Sequence, residues 1–135
     1  MRVRIGSTVI ALACAGGAFA AQDPAEGMAL TEGKTQLFAT LDGKPVLRYS
    51  FAGVPFKPYV QELYTPNGVN VLRDAPADHL HHHALMYAMN VNGIDFWGEA
   101  AGAGTQAHRA FESAAADGAA RARFREKLAW IDPAT

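Results

Sequence analysis

The 135-residue sequence has a single cysteine, Cys14, and it lies in a segment that we expect to be removed. Arg2 and Arg4 precede a short apolar stretch, and Ala18-Phe19-Ala20 is typical of a signal peptidase site, so we predict cleavage after Ala20. A mature chain without thiols cannot form disulfides, bind zinc through thiolates or use a cysteine nucleophile. The leader predicts a periplasmic or secreted protein.

Long apolar runs and an excess of positive charge are lacking as well. The apolar part of the leader is too short for a membrane span, and no run of about 20 apolar residues follows it. Without the leader, the chain carries 10 Lys and Arg against 13 Asp and Glu, a net charge of −3. This charge argues against a nucleic acid or an anionic membrane surface as the main partner. The composition is that of one globular domain.

What the mature chain does contain is a series of strand and turn signals. Strands predicted over 36–41 and 45–52 flank Asp42-Gly43, a pair that tolerates positive φ in a hairpin turn. A further strand is predicted over 59–64, and Asn92-Gly93 predicts a second tight hairpin. Short strands at hairpin spacing indicate an all-β fold, either a sandwich or a barrel.

The last third of the chain is compatible with two structures. The Ala-rich segment 107–120 has helical propensity, but Asp117-Gly118 interrupts it. After that pair, apolar residues such as Phe124 and Leu128 alternate with basic ones, as in a half-buried strand. The alternation favours a hairpin over a helix.

The densest group of chemically versatile side chains lies between Arg73 and His83. Four of the five histidines occupy positions 79–83, just after Arg73-Asp74 and Asp78. Imidazole groups titrate near neutral pH, bind metals and shuttle protons, so this segment predicts a functional site. An extended backbone continuing into a strand at Leu85 would place His79, His81 and His83 on one face and His82 on the other.

Three uses of this cluster are open on the residues alone. A histidine and a carboxylate can exchange a proton with a sugar or another polyol, with Tyr64 and Trp97 offering flat faces for stacking. Alternatively, His-x-His and a carboxylate can bind a metal. The cluster can also be a structural network of its own loop. The predicted catalytic residues are His79, His81, His83 and Glu99, and the predicted substrate-binding residues are Arg73, Asp74, Asp78, His82, His108 and Tyr64. A metal, if any, would be bound by His79 and His81.

Four blocks of the sequence carry a family resemblance: Pro58–Gly68, Arg73–His83, Asn92–Glu99 and Gln106–Arg109. They resemble the signature blocks of a secreted bacterial family of unknown function that is labelled methane oxygenase PmoA. The resemblance implies a β-sandwich like that of galactose mutarotases. It also implies a longer protein, of which this chain would be an N-terminal part with an incomplete sandwich. Methane oxidation is not predicted, because a membrane monooxygenase subunit needs several apolar spans.

We therefore predict an all-β protein with a signal peptide over 1–20, a flexible lead-in over 21–33 and a β-sandwich domain over 34–135. The predicted function is a secreted or periplasmic protein that binds or processes a carbohydrate or another small molecule at a His-rich site. One alternative is a metal-dependent, oxygenase-like enzyme, and another is a non-catalytic binding module or inactive fragment. The sequence requires no cofactor, although a divalent metal is compatible with it.

Overall fold

The computed structural model describes residues 26–135, and this part of the chain contains nine β-strands and no helix. The strands are β1 (Met28–Glu32), β2 (Gln36–Leu41), β3 (Lys44–Ser50), β4 (Tyr59–Leu63), β5 (Leu85–Met86), β6 (Asn90–Val91), β7 (Ile94–Asp95), β8 (Thr105–Ala116) and β9 (Ala122–Ile131). The all-β prediction is confirmed. The predicted signal peptide and its cleavage site lie outside the described residues.

Strands β1 to β5 form one antiparallel sheet in chain order. The predicted turn between β2 and β3 is confirmed, since Asp42 and Gly43 have φ angles of 51° and 72°. Two consecutive positive φ angles match the twist of a two-residue hairpin, and Asp and Gly tolerate them better than other residues do. Local chemistry thus fixes the register next to the turn, and a register shift between Ala39 and Thr40 changes it further along the strands.

The predicted flexible lead-in differs from the structure over Met28–Glu32. These residues form β1 and pair along the whole of β2, from Met28 opposite Leu41 to Glu32 opposite Leu37. The amide of Gly27 also donates to the Asp42 carboxylate at 2.7 Å. Leu30 packs against the apolar core, so the segment gains both backbone pairing and burial.

One face of the five-stranded sheet is apolar and is covered by the β8–β9 hairpin. Leu37, Tyr49 and Phe51 are buried there, and Phe111 and Phe124 of the hairpin pack against them. The ring centroids of Phe51 and Phe111 are 5.0 Å apart, edge to face. The prediction of a hairpin rather than a helix is confirmed, since β8 and β9 are both strands. The alternation of their side chains places Phe111 and Phe124 toward this face.

The opposite face of the same sheet carries polar side chains. Gln36 lies opposite Ser50 in the register, and Ser50 lies opposite Tyr59, so all three side chains share this face. Gln36 donates to Ser50 and Gln61 at 3.1 Å, and Ser50 donates to Gln61 at 2.8 Å. Buried polar groups of this kind are stable only when hydrogen-bonded. The candidate site is an extension of this network.

The segment that follows the histidines is less regular than predicted. Only Leu85–Met86 pairs with β4, and the next pairing is between β6 and β7. The hairpin predicted at Asn92-Gly93 is confirmed, with φ angles of 53° and 84°. Within the described part of the chain, no helix has the length and apolarity that a membrane crossing requires.

Candidate functional site

The histidine segment consists of two successive turns. The amide of His79 donates to the carbonyl of Pro76 at 2.8 Å, and the amide of His82 donates to the carbonyl of His79 at 3.0 Å. Proline fixes its own φ and suits the start of a turn. The prediction of an extended segment with His79, His81 and His83 on one face is therefore wrong.

The two turns divide the cluster. The imidazoles of His79, His81 and His82 contact one another, with ring centroids 4.4 to 6.3 Å apart. His81 and His82 also contact the Trp97 indole, at 5.0 and 5.4 Å. His83 leaves this group and stacks on the ring of Tyr59 at 4.4 Å. Only His83 therefore joins the polar face of the sheet.

Both ring nitrogens of His83 lie next to carboxylates. Nδ1 is 2.9 Å from Oδ1 of Asp74, and Nε2 is 3.1 Å from Oε1 of Glu99. Each ring nitrogen thus has a carboxylate acceptor within reach, and whichever nitrogen carries a proton can donate to it. The His83 side chain is 12% exposed, which keeps the ring accessible while excluding most water.

Asp74 is held by three hydrogen-bond donors. The Tyr59 hydroxyl and the Gln61 amide each donate to its Oδ2 at 3.0 Å, and His83 contacts its Oδ1. Burial alone would raise the pKa of Asp74, but the hydrogen bonds from His83, Tyr59 and Gln61 outweigh burial and hold that pKa below its ordinary value. Burial and the bond to Asp74 raise the pKa of Tyr59, so its hydroxyl stays a donor.

Glu99 is shared between His83 and a lysine. The ammonium of Lys57 lies 2.6 Å from Oε1 of Glu99, and the Lys57 side chain is fully buried. Buried lysines are rare unless they are paired. The network of Asp74, His83, Glu99, Lys57, Tyr59 and Gln61 is called the Asp74 network below.

A shallow, wide-open depression of about 510 Å³ lies beside the Asp74 network and is called the cavity below. Its lining includes Arg73, His82, His83, Met86 and Trp97. The cavity thus combines an imidazole, a guanidinium and an indole that is 45% exposed. Two predicted substrate-binding residues, Arg73 and His82, and one predicted catalytic residue, His83, are brought together here. Burial, with the like charges of His81 and His79, lowers the pKa of His82.

Two other predicted binding residues lie elsewhere. The Tyr64 hydroxyl donates to Glu62 at 2.8 Å, which raises the pKa of Tyr64, and Glu62 forms an ion pair with Arg48. Asp78 contacts only His79 at the surface, at 3.2 Å. Neither Tyr64 nor Asp78 lines the cavity beside His83.

His108 belongs to a different network on the apolar face of the sheet. Its Nδ1 is 2.6 Å from Oε1 of Glu126, and the Tyr49 hydroxyl donates to the other carboxylate oxygen. The ring centroids of Phe51 and Phe111 lie 4.6 and 4.9 Å from that of the imidazole, and both rings are tilted against it. This group of Glu126, His108 and Tyr49, called the Glu126 network below, lies between sheet and hairpin, away from the predicted cluster.

Sequence reasoning missed Lys57, Tyr59 and Gln61. The available signals were a lysine in a proline-flanked apolar segment, Val54–Pro58, and the alternation of β4. These signals do not indicate a partner, because the partners Asp74 and Glu99 are distant in sequence.

The described residues offer no ready metal site. Between residues 26 and 135, no group of three or more His, Cys, Asp or Glu side chains is arranged to hold a metal ion. The rings of His79 and His81, the pair predicted to bind a metal, lie 6.3 Å apart and tilted by 53°. The metal hypothesis of the sequence analysis therefore gains no ligand set from this part of the chain.

Fold and site together define an all-β protein with a hydrogen-bonded imidazole–carboxylate network on the polar face of an antiparallel sheet. The chain belongs to DUF6807, a family of unknown function, whose model matches residues 36–135. That range contains the whole of both networks. No curated protein and no solved structure matches the chain.

Proposed function

We propose that this protein, in the periplasm or outside the cell, binds a carbohydrate or a similar polyol in the cavity between His83 and Trp97. His83, with Glu99, would then donate and accept a proton at a hydroxyl or ring oxygen of that ligand. The observation that carries the proposal is the His83 imidazole, held between two carboxylates at the wall of a cavity.

The geometry around His83 suits acid/base work. Asp74 accepts at Nδ1 at 2.9 Å and is itself fixed by Tyr59 and Gln61, so the ring orientation is set from that side. The contacts of Nε2 with the two Glu99 oxygens are longer, at 3.1 and 3.4 Å. A ligand hydroxyl can replace the weaker contact more readily, and proton transfer requires such hydrogen-bond reach.

The cavity wall suits a sugar. The partly exposed Trp97 indole can cover the apolar C–H face of a pyranose, and Arg73 and His82 can donate to hydroxyl or carboxylate oxygens. The cavity volume of about 510 Å³ lies within the range of about 300 to 1,000 Å³ that small-molecule sites occupy.

The first experiment is saturation-transfer NMR on the tag-free protein with D-galactose, D-glucose and D-galacturonate, and with glycerol as the small-polyol control. We expect at least one pyranose to bind, to survive EDTA and to be lost in Trp97→Ala. No pyranose binding to the wild type, or equal binding to the variant, contradicts the proposed ligand class. Binding that EDTA abolishes would favour the metal-dependent alternative.

Proton transfer is tested separately by polarimetry. We expect the wild type to accelerate the mutarotation of a bound aldose, because ring opening needs a proton at one oxygen and its removal from another. His83→Gln should abolish the acceleration, and His108→Gln should retain it. Binding without acceleration would mean a binding module and would overturn the acid/base half of the proposal.

A further inference from the structure

Lys57 carries its ammonium group in a buried position, where a charge destabilises the fold unless it is paired. Its side chain is fully buried, its ammonium lies 5.8 Å from the centroid of the Phe56 ring, and Glu99 at 2.6 Å is its carboxylate partner among the described residues. Removing an ammonium from water is costly unless a partner is close and well oriented.

We propose that Lys57 is a positioning residue that fixes the Glu99 carboxylate against Nε2 of His83 and so orients the imidazole at the cavity wall. The action of that imidazole on a ligand rests on the function proposed above. The positioning itself rests on the distances. Oε1 of Glu99 is engaged by Lys57 at 2.6 Å and by Nε2 of His83 at 3.1 Å. Oε2 lies 3.4 Å from the same Nε2, so the carboxylate that Lys57 holds faces the ring with both oxygens.

The two carboxylates beside His83 are held by different partners. Asp74, 2.9 Å from Nδ1, accepts hydrogen bonds from Tyr59 and Gln61. Glu99, 3.1 Å from Nε2, pairs with the buried Lys57 ammonium, and opposite charges attract strongly where little water is present. Removal of Lys57 therefore frees the carboxylate at Nε2 while the Asp74 side stays in place.

If Lys57 had only a structural role, its replacement would have different effects. Lys57 would stabilise the fold through the ion pair, and its replacement would lower stability without a specific change at His83. A positioning lysine acts through Glu99 on the ring of His83. The NMR signals of the His83 ring therefore distinguish the two roles. Those of His108 in the Glu126 network provide an internal control.

The experiment records imidazole ¹⁵N NMR spectra of histidine-labelled protein at pH 7, without ligand, and assigns His83 by its loss in His83→Gln. Lys57→Met should move the His83 ring signals and leave those of His108 in place, and Lys57→Arg should return them toward the wild type. Unchanged His83 signals in a folded Lys57→Met protein would overturn the inference. Equal movement of the His108 signals would mean general loosening and would overturn it too.

The double variant Lys57→Met/Glu99→Gln covers the case in which Lys57→Met does not fold. It leaves no unpaired charge, and we expect it to melt about 5 °C or more above Lys57→Met. Its His83 signals should match those of Glu99→Gln alone. Once the Glu99 carboxylate is gone, the loss of Lys57 should have no further effect on the His83 ring. His83 signals of the double variant that differ from those of Glu99→Gln would overturn the inference.

Sugar binding by the same variants keeps the two proposals distinguishable. With the pyranose found by saturation transfer, Lys57→Met should bind about tenfold more weakly, and Lys57→Arg should recover part of this loss. A wild type that binds no pyranose overturns the proposed function, while the His83 signals still decide the positioning by Lys57. A wild type that binds, with a folded Lys57→Met that binds equally well, overturns the positioning role alone.

Discussion

The five-stranded sheet carries an imidazole–carboxylate–tyrosine group on each face, and the two groups differ in what surrounds them. In the Glu126 network, Phe51 and Phe111 pack on His108, and one carboxylate accepts from both His108 and Tyr49. In the Asp74 network, the imidazole stacks on one tyrosine, contacts two carboxylates and lines a cavity. Similar side chains thus connect the sheet to the β8–β9 hairpin on one face and line a cavity on the other.

This difference shows that a histidine–carboxylate pair does not by itself indicate a site. The two imidazoles do not differ by exposure, since the His108 side chain is 20% exposed and the His83 side chain 12%. The second carboxylate and the buried Lys57 occur only at His83, and they give that imidazole an exchangeable contact at Nε2. A second acceptor and a place in the cavity wall, rather than the pair, distinguish the two environments.

The largest expected effect on stability is at the Glu126 network. His108→Leu leaves the Glu126 carboxylate, only 6% exposed, with Tyr49 as its remaining partner. We expect a loss of about 3 kcal/mol in the free energy of unfolding, because an uncompensated buried charge is destabilising. Urea denaturation measures it. His108→Leu/Glu126→Leu is the matched control and should recover most of the loss; a double variant as unstable as the single one would mean that packing, not charge, dominates.

The next largest effect is on ligand binding, and here a change in the Asp74 network should matter while a change in the Glu126 network should not. His83→Gln removes the imidazole from the cavity wall, and a polar group of the ligand left without its partner costs about 2 kcal/mol, or about 30-fold in affinity. His108→Gln should bind the same pyranose as well as the wild type does. Titration calorimetry with the sugar found by saturation transfer measures both variants. If His108→Gln weakened binding as much as His83→Gln, the functional separation of the two networks would be wrong.

A smaller effect comes from Asp74 and depends on pH. Because the pKa of Asp74 in the folded protein is lowered, its ionised form contributes stability that is present above the ordinary value of 3.8 and is lost as the pH falls through the folded-state pKa. We expect Asp74→Asn to be about 1 kcal/mol less stable than the wild type near neutral pH. Urea unfolding from pH 7 to pH 3 should show the two proteins converging below 3.8. A constant difference over that range would contradict the assigned cause.

The strands and turns were predictable because their signals are local. Asp42-Gly43 and Asn92-Gly93 adopt the positive φ angles that their residue types favour, and the alternation around Phe124 distinguishes strand from helix. The Asp74 network was only partly predictable. Asp74, His83 and Glu99 were chosen from composition, but their meeting with Tyr59 and Gln61 depends on long-range pairing. That pairing includes a register shift at Arg48/Tyr49 in β3, which no local pattern specifies.

The division of the histidine cluster was not predicted for a different reason. An extended backbone was assumed, whereas Ala75 has a φ of 41° and Pro76 begins a turn. Alanine at positive φ is uncommon and has no signal in the sequence. Four histidines within five positions therefore gave one prediction for two environments: a partly exposed group next to Trp97, and a single ring inside the polar network.

The smallest expected effect tests this division within the cluster. His79→Ala and His81→Ala remove rings that contact only other loop side chains, and the His79 side chain is 52% exposed. We expect each to change the free energy of unfolding by less than about 0.5 kcal/mol, as substitutions at exposed positions usually do. Sugar binding should persist in His79→Ala and weaken slightly in His81→Ala, because the His81 ring contacts the Trp97 indole at 5.0 Å. Thermal melts and saturation-transfer NMR, with His83→Gln measured in parallel, provide the check. Loss of binding in His79→Ala equal to that in His83→Gln would show that the exposed histidines act at the ligand, and the four histidines would again be one site.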